Sequence, residues 1–140
     1  MSERHFATAE AAEKAFYRAF EAADQGAMMA VWAADDNIAC VHPGGELLQG
    51  RRVVEEGWRR ILQHPGRMQF QVQPQSRSDG SDLAVHVVHE YITVEGESGP
   101  RPAVVVTNVY RRTDAGWRMV LHHASPMLRG GQEAGERTVH

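Results

Sequence analysis

The imidazole of His42, set immediately before the turn Pro43-Gly44-Gly45, is the group in this chain best placed for proton transfer. Histidine titrates near neutral pH, with an unperturbed pKa of about 6.5, and a sharp turn fixes the strand end that carries it. His42 is therefore a candidate general base; contact with a ligand and ordering of the turn are the competing readings. Two more imidazoles, His122 and His123, close the last apolar stretch. Side chains alternate across a strand, so only one of the pair reaches an interior site. Trp117, Met119, Leu121, His123 and Ser125 share one face; Arg118, Val120, His122 and Ala124 share the other. The apolar content of the first set points to His123 as the inward one. In the preceding run of valines, Asn108 and Tyr110 fall in phase with Val104 and Val106. A buried amide needs partners, which Asn108 can find in the protein or in a ligand. Trp32 and Trp58 are the aromatic candidates for lining the same site. Cys40 has no Ser-His-Asp-like context and reads as an inert buried thiol. The chain holds eight histidines, but His86 and His89 fall on opposite faces of one strand. With no close-spaced helical pair and no cysteine pair, neither a metal nor another cofactor is expected.

The elements that must position these groups follow from periodicity. Thr8 is a candidate N-cap for a helix whose Ala12, Phe16, Phe20 and Ala23 share a face. Gly26 stops it, and Met28, Val31 and Trp32 form the apolar side of a short second helix. Residues 38–42 read as a strand ended by the Pro-Gly-Gly turn, and Leu47 and Leu48 pack as the chain returns. Gly50 leads into a third helix over 51–63, with Val54, Trp58, Ile61 and Leu62 as its buried stripe and Arg51-Arg52 and Arg59-Arg60 on solvated faces. Met68, Phe70 and Val72 alternate with glutamines, the period of a strand with one wet face, and 76–82 is turn-rich. Strands over 83–95, 102–113 and 116–125 complete the domain.

Strands joined by turns this short lie antiparallel. The expected architecture is α+β, with a curved antiparallel sheet packed on three N-terminal helices and a cone-shaped interior suited to a small ligand. Both phases of the strand from Leu83 are apolar, which predicts that the outer sheet face is covered as well, most simply in a homodimer. Residues 1–128 form the single expected domain, and 129–140, rich in glycine, a flexible tail.

A net charge of −3 and a pI near 6.2 supply no basic field for nucleic acid or an anionic membrane as partner. A single cysteine excludes an internal disulfide and suits a reducing compartment. No signal-peptide pattern or membrane-length apolar run is present, so the expected location is cytoplasmic.

From Ala9 to Pro126 the chain resembles the NTF2-like superfamily. The likeness is to its SnoaL-like members and to bacterial relatives of the calcium/calmodulin-dependent protein kinase association domain. The matching pieces are Ala15-Phe16-Tyr17 through Asp24-Gln25-Gly26 with Trp32, Val41 to Gly45 with Leu47 to Gly50, and Trp58. Thr107 to Arg112, Gly116-Trp117-Arg118 and His122 to Pro126 complete the set. The resemblance implies a cone-shaped fold with a pocket, usually dimeric, in a superfamily that holds isomerases, cyclases, dehydratases and domains with no catalysis. In its ketosteroid isomerase branch, a more distant likeness, an Asp before Pro is the base, helped by a tyrosine on the first helix and a protonated Asp on a later strand. His42 occupies the base position. Phe16 rather than Tyr17 takes the inward position on the first helix, and Thr107, Asn108 and Tyr110 leave no counterpart for the acid. Three functional expectations result. The first is a pocket protein binding a small, mostly apolar molecule through Trp32, His42, Trp58, Asn108, Tyr110 and His123. The second is an isomerase, cyclase or hydratase with His42 as base, and the third a non-catalytic association module.

Overall fold

Thr8 Oγ1 accepts a hydrogen bond from the Ala11 amide at 3.0 Å and starts helix α1, Ala9–Ala22. Asp24 repeats the device 3.0 Å from the Ala27 amide, at the start of α2, Gln25–Val31. Side-chain acceptors at these positions satisfy amides that have no partner inside the helix. The computed structural model describes residues 5–99 and 101–128. After α2 come β1 (Ala39–Val41), β2 (Leu48–Gln49), α3 (Arg51–Leu62), β3 (Met68–Asp79), β4 (Leu83–Val94), β5 (Val104–Thr113) and β6 (Gly116–Pro126). The expected tail, 129–140, lies outside the described residues.

The strands form one curved six-stranded sheet in the order β2-β1-β6-β5-β4-β3, with the helices against its inner face. The pairs β3–β4, β4–β5 and β5–β6 are antiparallel, as their short connections require. β1 lies parallel to β6, and β2 folds back on β1. Leu48, expected only to pack, thus belongs to a two-residue strand. β3 runs to Asp79, through part of the stretch read as turn-rich. It is an edge strand, and the register shift between Pro74 and Ser76 absorbs the proline.

The core is an aromatic cluster between α1, α3 and the sheet. Phe16, Trp32, Trp58 and Tyr110 are at most 1% exposed, and burial of each such side chain stabilises by about 1.5–3 kcal/mol. Phe16 meets Tyr17, Phe20 and Trp58 edge-on at 4.7, 5.9 and 5.5 Å. Arg51, expected on a solvated face, instead turns its guanidinium to the carbonyls of Met29 and Ala33, at 2.9 and 2.7 Å. It thereby satisfies acceptors that the end of α2 leaves free. Among the described residues, no helix is long and apolar enough to cross a membrane.

The strand carrying the paired histidines departs from simple alternation. Val109 pairs with Leu121 but Tyr110 with Met119, so Val120 is an extra residue in β6. A bulge of this kind moves every later side chain to the opposite face. Trp117 and Met119 face inward as expected; beyond the bulge the inward residues are His122 and Ala124. His123 is exposed on the outer face, which corrects its expected place in the pocket.

Candidate functional site

β1 delivers His42 to the rim of the cone, and β6 beside it delivers His122, through the parallel pairing of Cys40 with His122. The two rings are 6.3 Å apart, and Trp58 on α3 stands perpendicular to His42 at 4.7 Å. The helix approaches closely here because residue 57 is glycine. A Cβ at Gly57 would lie 2.5 Å from Leu48 Cδ1 and 3.6 Å from His42 Nε2. A mid-helix glycine costs about 1 kcal/mol relative to alanine, and the room it leaves seats the imidazole.

Beneath these rings is a cavity of about 280 Å³. Phe20, Ile61, Met68, Ile92 and Ala124 give it apolar walls, and His42, His122, Glu90 and Gln63 are among the polar side chains that open into it. Arg60, His64 and Arg101 also line it. Arg101 is engaged by Glu97 through two hydrogen bonds, at 2.9 and 2.7 Å.

Glu90 is the residue that sequence reasoning missed. The residue is 2% exposed, and its carboxyl accepts a hydrogen bond from the Tyr17 hydroxyl at 2.6 Å. Tyr17 in turn accepts from Asn108 Nδ2 at 3.1 Å, and Asn108 Oδ1 lies 2.7 Å from His122 Nδ1. Tyr17 therefore points inward alongside Phe16, correcting the expectation that only Phe16 does, and β4 supplies a buried acid where none was anticipated. One signal for Glu90 was present: it shares the phase of Ala84, Val88, Ile92 and Val94. No local signal marked Tyr17, because α1 is enclosed on more than one side.

Burial sets the charge states. It pushes Glu90 up to about 7, opposed by the Tyr17 hydrogen bond. It lowers His42 to about 4 and His122 to about 3, the latter with help from the neighbouring His42 and His123. It also raises the thiol of Cys40, which lies 3.6 Å from His42 Nε2. At neutral pH His42 and His122 are thus neutral imidazoles, and Glu90 is a carboxyl poised between its two states. His42 is in the right form for a base, but at about 4 it is a weaker one than an exposed imidazole.

The remaining expected ligand contacts lie deeper. Trp58 abuts both imidazoles, 4.7 Å from His42 and 5.7 Å from His122. Trp32 is core, bridged to Met119. Tyr110 is fully buried beside a separate polar cluster, 5.2 Å from the ring of His86. In that cluster Glu13 Oε1 meets Arg77 at 2.8 Å and His86 Nδ1 at 3.3 Å, while His86 Nε2 meets Asp79 at 2.8 Å. So His42, His122, Asn108 and Trp58 come together, and Trp32, Tyr110 and His123 do not join them. Among the described residues no group of three or more His, Cys, Asp or Glu side chains is arranged to hold a metal.

Comparison with known proteins places this geometry in context. Residues 9–129 match the SnoaL-like domain family. A Thiobacillus denitrificans protein, provisionally described as a calcium/calmodulin-dependent protein kinase type II association domain, is 50% identical. It superposes with a TM-score of 0.85 over 90% of this chain and 100% of its own. A Streptomyces avermitilis protein, provisionally described as a dehydratase of the NTF2-like family, is 32% identical, with a TM-score of 0.76 over 87% and 95% of the two chains. The Arabidopsis thaliana F-box protein SKIP8 is 32% identical over 107 residues, 76% of this chain; the chain spans 44% of that relative's length. With the three helices, the curved sheet and the cavity between them, the match shows that this chain belongs to the SnoaL-like domain family and has the cone-shaped NTF2-like fold.

Proposed function

We propose that the cone binds one small, mostly apolar molecule. The observation that carries this reading is the cavity itself: apolar walls with a few convergent polar groups, Glu90, His122 and His42, at a volume near the lower end of ligand sites. The walls hold the body of the ligand and the polar groups orient it. Native mass spectrometry of the purified protein tests this. An adduct released on denaturation is expected, and it should be absent from an Ala124→Phe variant that fills the cavity. Equal ligand uptake by the filled variant removes the reading.

The near-neutral acid favours a second reading, in which the bound molecule also reacts. A carboxyl titrating at about 7 can donate a proton to a carbonyl or leaving hydroxyl while a neutral imidazole takes one, the pairing that isomerisation or dehydration needs. The description of the 32% identical Streptomyces protein as a dehydratase supports this class. Substituting His42→Gln and Glu90→Gln separates the readings. Loss of turnover with binding retained indicates catalysis, whereas turnover unchanged in both variants would falsify it.

A homodimer through the outer sheet face completes the proposal. Val85, Val87, Val105, Val109 and Leu121 stand partly exposed there on three neighbouring strands, and a second copy would cover them. The description of the 50% identical Thiobacillus protein as an association domain supports self-assembly. Light scattering should give twice the chain mass for the wild type and a monomer for Val87→Arg; a monomeric wild type ends this part. A cytoplasmic location belongs to the same proposal, resting on the free, buried Cys40, and recovery of the protein only from a non-cytosolic fraction would end it.

A further inference from the structure

The hydrogens of the buried chain can be counted. Tyr17 has one, and the 2.6 Å contact spends it on Glu90 Oε2. Its oxygen must then accept, and the Nδ2 hydrogen of Asn108 at 3.1 Å is the donor. With Nδ2 turned to Tyr17, the carbonyl Oδ1 of Asn108 faces His122, and a carbonyl oxygen can only accept. His122 therefore donates from Nδ1. Burial keeps this ring neutral, so it has only that one N–H. Nε2 is left without a hydrogen and has no hydrogen-bond partner among the described residues, on a side chain that lines the cavity. At the other end of the chain, Glu90 Oε1 is likewise without a partner among the described residues. All three links have one sense, from imidazole to carboxyl.

We propose that this directed chain sets the polarity of the cavity. Tyr17 and Asn108 act as positioning residues that present His122 Nε2 as a bare acceptor, and the ligand is an alcohol or phenol whose hydroxyl donates to that nitrogen. The ligand half rests on the cavity reading above; the tautomer half does not. A ketone of the same size offers Nε2 nothing and leaves that acceptor unpaired once it is covered.

Two measurements test the halves separately. The ring nitrogens of His122, observed by 15N NMR in ligand-free protein at neutral pH and assigned with His122→Gln, should show the neutral Nδ1–H tautomer. An Nε2–H tautomer or an imidazolium overturns the chain's sense. Tyr17→Phe removes the hydroxyl that orients the amide, so both tautomers should then appear; a single unchanged tautomer overturns the positioning role. For the ligand, cyclohexanol and cyclohexanone are compared as probes by ligand-observed NMR. The alcohol is expected to bind about tenfold tighter or more. Equal binding or a ketone preference overturns the ligand class and leaves the cavity reading standing, whereas binding of neither probe overturns the cavity reading. In Asn108→Asp the carboxylate holds His122 doubly protonated and Nε2 becomes a donor, so the preference should move to the ketone. An alcohol preference retained in folded Asn108→Asp overturns the proposal, and if that variant does not fold, the wild-type tautomer and the Tyr17→Phe spectrum still decide it.

Discussion

Two buried histidines occupy one rung of the sheet: His86 pairs across with Asn108, and Asn108 with His122. All three are at most 1% exposed on the inner face, yet the two imidazoles live in opposite electrical settings. His86 is braced by charge, with a carboxylate oxygen at each ring nitrogen and Arg77 sharing Glu13. His122 has only the neutral amide of Asn108 and aromatic neighbours, Phe16 at 4.9 Å and Trp58 at 5.7 Å. Burial alone therefore does not assign a role to a histidine; its partners do. The charged cluster ties β3 to α1 and β4, and the neutral ring opens on the cavity.

The comparison can be broken most strongly at Glu13. Its Oε1 serves both Arg77 and His86, so Glu13→Ala leaves the buried ring nitrogen of His86 and the Arg77 guanidinium without this acceptor and should cost about 3 kcal/mol in urea unfolding. Ligand binding in the cavity should survive wherever the variant is folded. A loss below about 1 kcal/mol would show that charge does not brace this end of the cone.

The neutral side has its own signature in pH. Glu90 is held at about 7 against an ordinary 4.5. The folded state thus binds the extra proton, and the Glu90 contribution is complete below pH 4.5 and lost as pH rises through about 7. His42 and His122, held at about 4 and about 3 against 6.5, act in the other direction. Their contribution is present above pH 6.5 and is lost as pH falls towards those values. Two histidines outweigh one carboxyl, so from these three groups stability should rise with pH and level off near pH 7. Glu90→Gln keeps an acceptor for Tyr17 and removes the loss that ionising Glu90 imposes between pH 4.5 and about 7, so it should stabilise the fold by up to roughly 3 kcal/mol at pH 8. Parallel pH–stability curves for the variant and the wild type would contradict the shifted carboxyl.

Smaller effects sharpen the contrast. Asn108→Leu leaves the His122 Nδ1 hydrogen and the Tyr17 oxygen without partners and should cost about 2 kcal/mol, read as a lower denaturant midpoint with an unchanged slope. Asp79, with a side chain 54% exposed, sits in high dielectric. Asp79→Asn should therefore cost less than about 1 kcal/mol; a loss as large as that of Glu13→Ala would mean that both carboxylates brace His86 equally.

Much of this was legible in the residues themselves. The apolar stripes of α1 and α3, the punctuation at Gly26, Pro43 and Pro65, and the alternation of β4 and β5 all carry their meaning locally, through helix and strand periods. The same alternation placed Asn108 and Tyr110 on the inner face. The His42 strand end was legible because a Pro-Gly-Gly turn leaves the chain few alternatives. The candidate site was only half visible. Glu90 was overlooked because a lone acid among valines looks like a strand edge until something is seen to cover it.

The sequence by itself determined which elements form, their order, the antiparallel pairing of the last four strands and the inward face of β5, since each depends on neighbours within a few residues. Only the tertiary structure decided which of the paired histidines enters the cone. The bulge at Val120 is a relation between two strands, Val109 with Leu121 and Tyr110 with Met119, and it reverses the face of everything after it. The hydrogen bond between Tyr17 and Glu90 likewise joins residues 73 positions apart. Burial, partly opposed by that bond, sets the proton affinity of Glu90, and both exist only once α1 has closed over the sheet.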